Sequence, residues 1–145
     1  MKKLIFTLLV LMVLQVSYGQ ILNPARFSYT AIKKGANQYE VHIKSILEPK
    51  WHIYSVTNPE GGAEATVVKL DKVKTVGKIR EHGKMKTVYD KEFKMNQKFF
   101  ENTVDFVQTI SVSKGDKKVA GSITYMVCND RQCLPPKEVP FEIKL

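Results

Sequence analysis

The sequence has 145 residues and a formal net charge of +9 at pH 7, with 26% charged and 43% hydrophobic residues. A chain of this length is large enough for one domain with a single hydrophobic core. The lysines are scattered over alternate positions and no nucleic-acid-binding motif accompanies them, so the composition argues against a nucleic-acid partner.

The first nineteen residues have the pattern of a secretory signal peptide. Met1-Lys2-Lys3 is basic, Leu4–Val16 is almost wholly apolar, and Ser17-Tyr18-Gly19 places small residues at the −3 and −1 positions of a cleavage site. The apolar run is shorter than the ~20 residues that a membrane-spanning helix needs. We therefore expect cleavage after Gly19, no stable membrane insertion, and one exported domain over residues 20–145 in a compartment where disulfides persist.

Alternating hydrophobic and polar residues predict short strands along most of the remaining chain. The predicted strands are 27–33, 38–47, 51–55, 64–70, 72–79, 103–113, 118–128 and 139–145. Residues 81–102 are polar and lysine-rich and show the least regular pattern. No stretch has helical periodicity, and frequent turns separate the short strands, so the predicted fold is an all-β antiparallel sandwich.

The two cysteines, Cys128 and Cys133, flank four polar residues between the last two predicted strands. This pattern predicts a hairpin with both cysteines at the mouth of its turn, close enough for a disulfide after modest local adjustment. Such a pair is either a reversible redox pair or an inert staple in an immunoglobulin-like binding or chaperone module. The spacing alone does not decide between these two functions.

The residues around the cysteines show a more specific pattern. Tyr125 precedes Cys128, and Leu134-Pro135-Pro136 follows Cys133 directly, with Trp51-His52-Ile53-Tyr54-Ser55 upstream. In these features the chain, from Phe27 to its end, resembles the N-terminal periplasmic domain of the DsbD family of thiol:disulfide interchange proteins. The resemblance implies an immunoglobulin-like sandwich and favours the redox pair. Better-known members place five residues between the cysteines, and this chain has four.

The resemblance also implies roles for individual residues. Cys133 would exchange disulfides with partner proteins, and Cys128 would be its resolving companion. Glu92 and Phe93 would belong to a loop that caps the disulfide, although Phe93 could equally be an ordinary core residue. Four further residues would form the supporting surroundings of the active site: His52, Tyr54, Tyr125 and Pro135. For His52 and Tyr54, ordinary packing in the sandwich is the favoured alternative.

The resemblance finally implies partners and a location. A periplasmic, monomeric, stand-alone carrier would take electrons from a DsbD-type membrane electron transporter. It would pass them to thioredoxin-like exported proteins, as a possible component of a protein-disulfide reductase. His42, His52 and His82 share no metal-ligand spacing, so we expect no metal and no other cofactor.

Overall fold

The computed structural model describes residues 22–145. These residues form nine β-strands joined by loops and turns, and they contain no helix. The predicted signal peptide lies outside these residues. Within them, no helix could cross a membrane. The strands are β1 (Ala25–Lys33), β2 (Gln38–Leu47), β3 (His52–Tyr54), β4 (Val67–Leu70), β5 (Lys74–Asp90), β6 (Met95–Ser111), β7 (Lys118–Tyr125), β8 (Val127–Cys128) and β9 (Lys137–Lys144).

The strands form two antiparallel sheets, as the sequence predicts. The larger sheet is built around β6. One edge of β6 pairs with β5. Its opposite edge pairs with β3 near the start of the strand and with β2 near its end. β1 extends the sheet beyond β2, and β8 extends it beyond β3. The smaller sheet has the order β4-β7-β9. The short β3–β8 pair is therefore the end of the large sheet that holds Cys128.

The core lies between the two sheets and follows the alternation of the sequence. Trp51 and Ile53 face inward together with Phe100 and Phe106, whose rings meet edge to face at 6.4 Å. Burying such side chains contributes roughly 1.5–3 kcal/mol each to the free energy of folding. His52 and Tyr54 of β3 point to the opposite face of the sheet, where Cys128 lies.

The structure corrects the prediction for residues 81–102. Instead of an irregular segment, β5 and β6 run through this region as one long hairpin of two 17-residue strands. Two register shifts, between Val76 and Arg80 and between Gly83 and Met85, interrupt the pairing. β5 is exposed along most of its length, so few of its side chains face the core and the sequence lacks the alternation of a half-buried strand. The two bulges break the period further.

The predicted hairpin around the cysteines is present, but its first strand is divided between the two sheets. Tyr125 ends β7 opposite Lys137 of β9 in the small sheet. After Met126 the chain continues as β8, which pairs with β3 in the large sheet. The cysteine loop therefore lies where the chain passes from one sheet to the other.

Candidate functional site

Cys128 and Cys133 form a disulfide and face each other as an antiparallel bridge, with their Cα atoms 4.0 Å apart. Their environments differ. Cys128 ends β8 and is 2% exposed, whereas Cys133 lies in the loop and is exposed. Cys133 is therefore the more accessible of the two cysteines.

The loop between the cysteines is held by its own hydrogen bonds. The side-chain oxygen of Asn129 accepts the backbone N–H groups of Arg131 and Gln132, each at 2.9 Å. The backbone N–H of Asn129 also donates to the carbonyl of Gln132 at 2.9 Å. An asparagine side chain that bonds the backbone two residues on is a common turn device, so the turn does not depend on the disulfide alone.

An aromatic cluster lies beside Cys128 on the outer face of the large sheet. The His52 ring packs against Phe99 at a centroid distance of 4.4 Å and meets the edge of Tyr54 at 5.3 Å. His52 Nε2 and the Tyr54 hydroxyl are 3.2 Å apart. His52 is directly opposite Cys128 in the β3–β8 pairing, and Tyr54 and Cys128 share a small buried cluster.

The turn of the β5–β6 hairpin faces this cluster across an open cleft of about 860 Å³, lined by both cysteines, the loop between them, His52, Tyr54 and the turn residues. Asp90 Oδ1 organises the turn by accepting the backbone N–H groups of Glu92 at 2.8 Å and Phe93 at 3.2 Å. Phe93 is 37% exposed and lines the cleft rather than the sandwich core. Glu92 is exposed on the same turn.

A buried amide beneath the cleft was not singled out from the sequence. Gln97 is 2% exposed, and its Oε1 accepts from Asn58 Nδ2 at 2.7 Å and from the Ala63 backbone N–H at 3.2 Å. It thereby ties the loop after β3 to the hairpin that bears Phe93. The only signal in the sequence is a glutamine within a polar segment, which is too common to identify a role.

Tyr125 and Pro135 are not brought together with His52 and Tyr54. They line a second, mainly apolar cleft of about 440 Å³ on the other flank of the cysteine loop, with Pro24, Leu134 and other residues. Tyr125 is buried, and its ring packs against Phe27 at 4.7 Å. These two residues support the loop from the side opposite to the aromatic cluster.

Burial sets the protonation of the side chains near the disulfide. Desolvation, with a smaller contribution from Asp90, raises the pKa of Tyr54 to about 12, so its hydroxyl remains protonated near neutrality. Desolvation also lowers the pKa of His52 below its usual value, although Glu101, Asp130 and Asp90 oppose this effect. The imidazole beside the closed disulfide is therefore neutral at pH 7. Among residues 22–145, no three His, Cys, Asp or Glu side chains are grouped as a metal site.

The domain is an immunoglobulin-like β-sandwich with one disulfide in the loop between β8 and β9. Residues 19–144 match the family described as thiol:disulfide interchange protein DsbD, N-terminal, and the chain belongs to this family. The resemblance inferred from the sequence is thereby confirmed. No curated protein matches the chain.

Solved structures of the same fold include three N-terminal domains. The N-terminal periplasmic domain of ScsB from Proteus mirabilis has a TM-score of 0.63 at 17% identity; the match covers 83% of this chain but only 46% of that one. The reduced DsbD N-terminal domain of Neisseria meningitidis has a TM-score of 0.56 at 16% identity, covering 81% and 84%. A complex between the DsbD and PilB N-terminal domains of Neisseria meningitidis gives 0.58 at 15% identity, covering 86% and 88%.

Proposed function

We propose that the domain is an exported, periplasmic electron carrier that passes reducing equivalents through Cys128 and Cys133 to partner proteins. The observation that supports this most directly is the unequal exposure of the two cysteines, because Cys133 is exposed and Cys128 is buried. A structural staple has no need of this asymmetry. A carrier requires it, because one sulfur must meet the partner and the other must wait nearby.

The proposed exchange proceeds in two steps. In the reduced domain the Cys133 thiolate attacks a partner disulfide, forming a mixed disulfide and releasing the partner's other sulfur as a thiolate, which takes a proton. Cys128 then attacks the Cys133 sulfur, which restores the Cys128–Cys133 bond and releases the partner's second sulfur as a thiol. The partner gains two electrons, and a dithiol donor must reduce the domain again.

The proposed partners are thioredoxin-like exported proteins, with a DsbD-type membrane transporter as the source of electrons. Support comes from the family and from the solved complex in which a related DsbD N-terminal domain binds a PilB N-terminal domain. The cleft suits such a partner, because Cys133 lines it together with Phe93 and Glu92. We propose that these two residues form a cap that shields the disulfide until the partner displaces it.

Mixed-disulfide trapping tests this proposal. In the Cys128→Ser variant, Cys133 remains exposed and lacks its resolving partner, so a thioredoxin-like substrate with a disulfide should accumulate as a covalent adduct. The matched control is Cys133→Ser, which leaves only the buried Cys128 and should trap far less. Equal trapping by both variants, or trapping by neither, would contradict the assigned roles.

A further inference from the structure

Three residues on three neighbouring strands form a row across the outer face of the large sheet. Glu101 of β6 is directly opposite His52 of β3, and His52 is directly opposite Cys128 of β8. Directly opposed residues of antiparallel strands point to the same face, with their Cβ atoms about 4.5–5.5 Å apart. The order across the sheet is therefore carboxylate, imidazole and sulfur.

The His52 ring is held in this row by its neighbours. Phe99 packs against the ring, and the Tyr54 hydroxyl lies 3.2 Å from Nε2. Because Tyr54 retains its proton, it can donate to a neutral Nε2, which leaves Nδ1 to carry the hydrogen of that tautomer. The second proton would go to Nε2, and the Tyr54 hydroxyl would then turn to accept from that nitrogen, so the ring itself need not move.

Charged groups from each packed element act on His52. Three carboxylates favour the imidazolium: Glu101 on β6, Asp130 in the cysteine loop and Asp90 on β5. Lys86, also on β5, opposes it. Lys86 Nζ is itself 2.6 Å from Glu101 Oε2. With the disulfide closed, desolvation outweighs these carboxylates and the imidazole is neutral. A thiolate on Cys128 would add one more negative charge on the same face, at the position directly opposite the ring.

We propose that His52 takes up a proton when the disulfide is reduced and so holds Cys128 as a thiolate ready to resolve the mixed disulfide. This inference rests on the proposed function, and it names the proton acceptor of that exchange. A dithiol donor supplies two electrons and two protons as it becomes a disulfide. One proton goes to His52. The other rests on Cys133 until that residue attacks the partner as a thiolate, and it then passes to the partner's first leaving sulfur.

On resolution the process reverses. The Cys128 thiolate attacks the Cys133 sulfur, the bond between Cys133 and the partner breaks, and the partner leaves as a thiolate. The imidazolium gives up its proton, through solvent, to that leaving sulfur. His52 thus makes a nucleophile available at a buried position, where desolvation would otherwise favour the neutral thiol.

NMR titration of the histidine ring protons tests the coupling directly. The pKa of His52 should be higher in the protein reduced with a small dithiol than in the oxidised protein, because the thiolate favours the imidazolium. The rise should be absent in a Cys128→Ala variant, which has neither the disulfide nor the thiolate at that position. His42 and His82, on β2 and β5, provide internal reference signals. The same His52 pKa in both redox states would overturn the inference.

A kinetic test separates proton acceptance from packing. Reduced protein is mixed with glutathione disulfide, and closure of the Cys128–Cys133 bond is followed against pH. His52→Gln should close roughly tenfold more slowly near neutrality and recover at alkaline pH, where Cys128 ionises without help. His52→Phe, which retains an aromatic ring, should show the same pH-dependent loss.

A loss that is equal at every pH would indicate packing alone and overturn the inference. If the variants match the wild type, the inference fails while the carrier function stands. Failure of the wild-type domain itself to exchange with glutathione disulfide would instead overturn the proposed function, and this inference with it.

Discussion

Removing the Cys128–Cys133 bond should weaken the fold by a small amount and leave it intact. The bond closes a loop with a sequence separation of only 5 and lies on the outer face of one sheet, so it does not tie the two sheets together. Loop-closure entropy for so short a segment is worth about 2 kcal/mol, against nearly 5 kcal/mol for a closure of about 100 residues.

The structure also shows what would keep the loop folded. The Asn129 side chain and the Leu134 N–H, which donates to the Val127 carbonyl at 2.9 Å, hold both ends of the turn without the sulfurs. We therefore expect a Cys128→Ala/Cys133→Ala variant to unfold cooperatively, with its free energy of unfolding lower by about 2 kcal/mol. For a urea m-value of about 2 kcal/mol/M, the midpoint falls by about 1 M.

Urea denaturation followed by tryptophan fluorescence measures this change, because Trp51 is buried in the core. Cys133→Ala removes the bond while changing only an exposed side chain, so the further loss on adding Cys128→Ala reports the packing of the buried sulfur. The chemically reduced wild type should resemble Cys133→Ala. A double variant that fails to fold, or loses about 5 kcal/mol, would refute this reasoning and identify the bond as a structural staple.

Three further predictions concern the surroundings of the disulfide. Phe93→Ala should speed reduction of the disulfide by a small thiol severalfold if Phe93 shields it, whereas Val88→Ala, an exposed residue of the same cleft, should not; equal rates for the two variants would contradict the cap. Because the pKa of Tyr54 is raised to about 12 in the folded protein, the neutral phenol stabilises the fold below pH ~10, and this contribution is lost as the pH rises towards 12. Tyr54→Phe should therefore reduce the fall in the free energy of unfolding over this range, measured by denaturation at alkaline pH. Gly62→Ala should destabilise the domain by about 1–3 kcal/mol, because the added Cβ would lie 2.1 Å from Gln97 Nε2 and displace that buried amide from its hydrogen-bond partners. An unchanged melting temperature would contradict this prediction.

The sandwich and the cysteine hairpin could be predicted because their residues obey simple alternation. Val41 and Ile43 of β2 face the core, and the flanking polar residues do not. The Leu-Pro-Pro segment after Cys133 indicates the family, and the family resemblance in turn predicts the redox-active cysteine pair and the loop that contains Phe93.

The rest depended on features that a sequence pattern does not express. The β5–β6 hairpin contains two register shifts, and Asn102 in β6 has a positive φ of 63°, so no single period fits the whole hairpin. The passage between sheets at Met126 is a tertiary feature, and it separates Tyr125 from the aromatic cluster. The Glu101–His52–Cys128 row arises from strand register between residues far apart in sequence, and the sequence alone does not fix that register.

The reduction potential of the Cys128–Cys133 pair tests the carrier function most directly. Purified protein is equilibrated in glutathione buffers of graded potential, free thiols are trapped, and the oxidised and reduced forms are counted by mass. For an electron carrier we expect a reduction potential of about −180 to −270 mV, within the range of proteins that exchange disulfides. A value below about −300 mV would be typical of a structural disulfide and would contradict the carrier function.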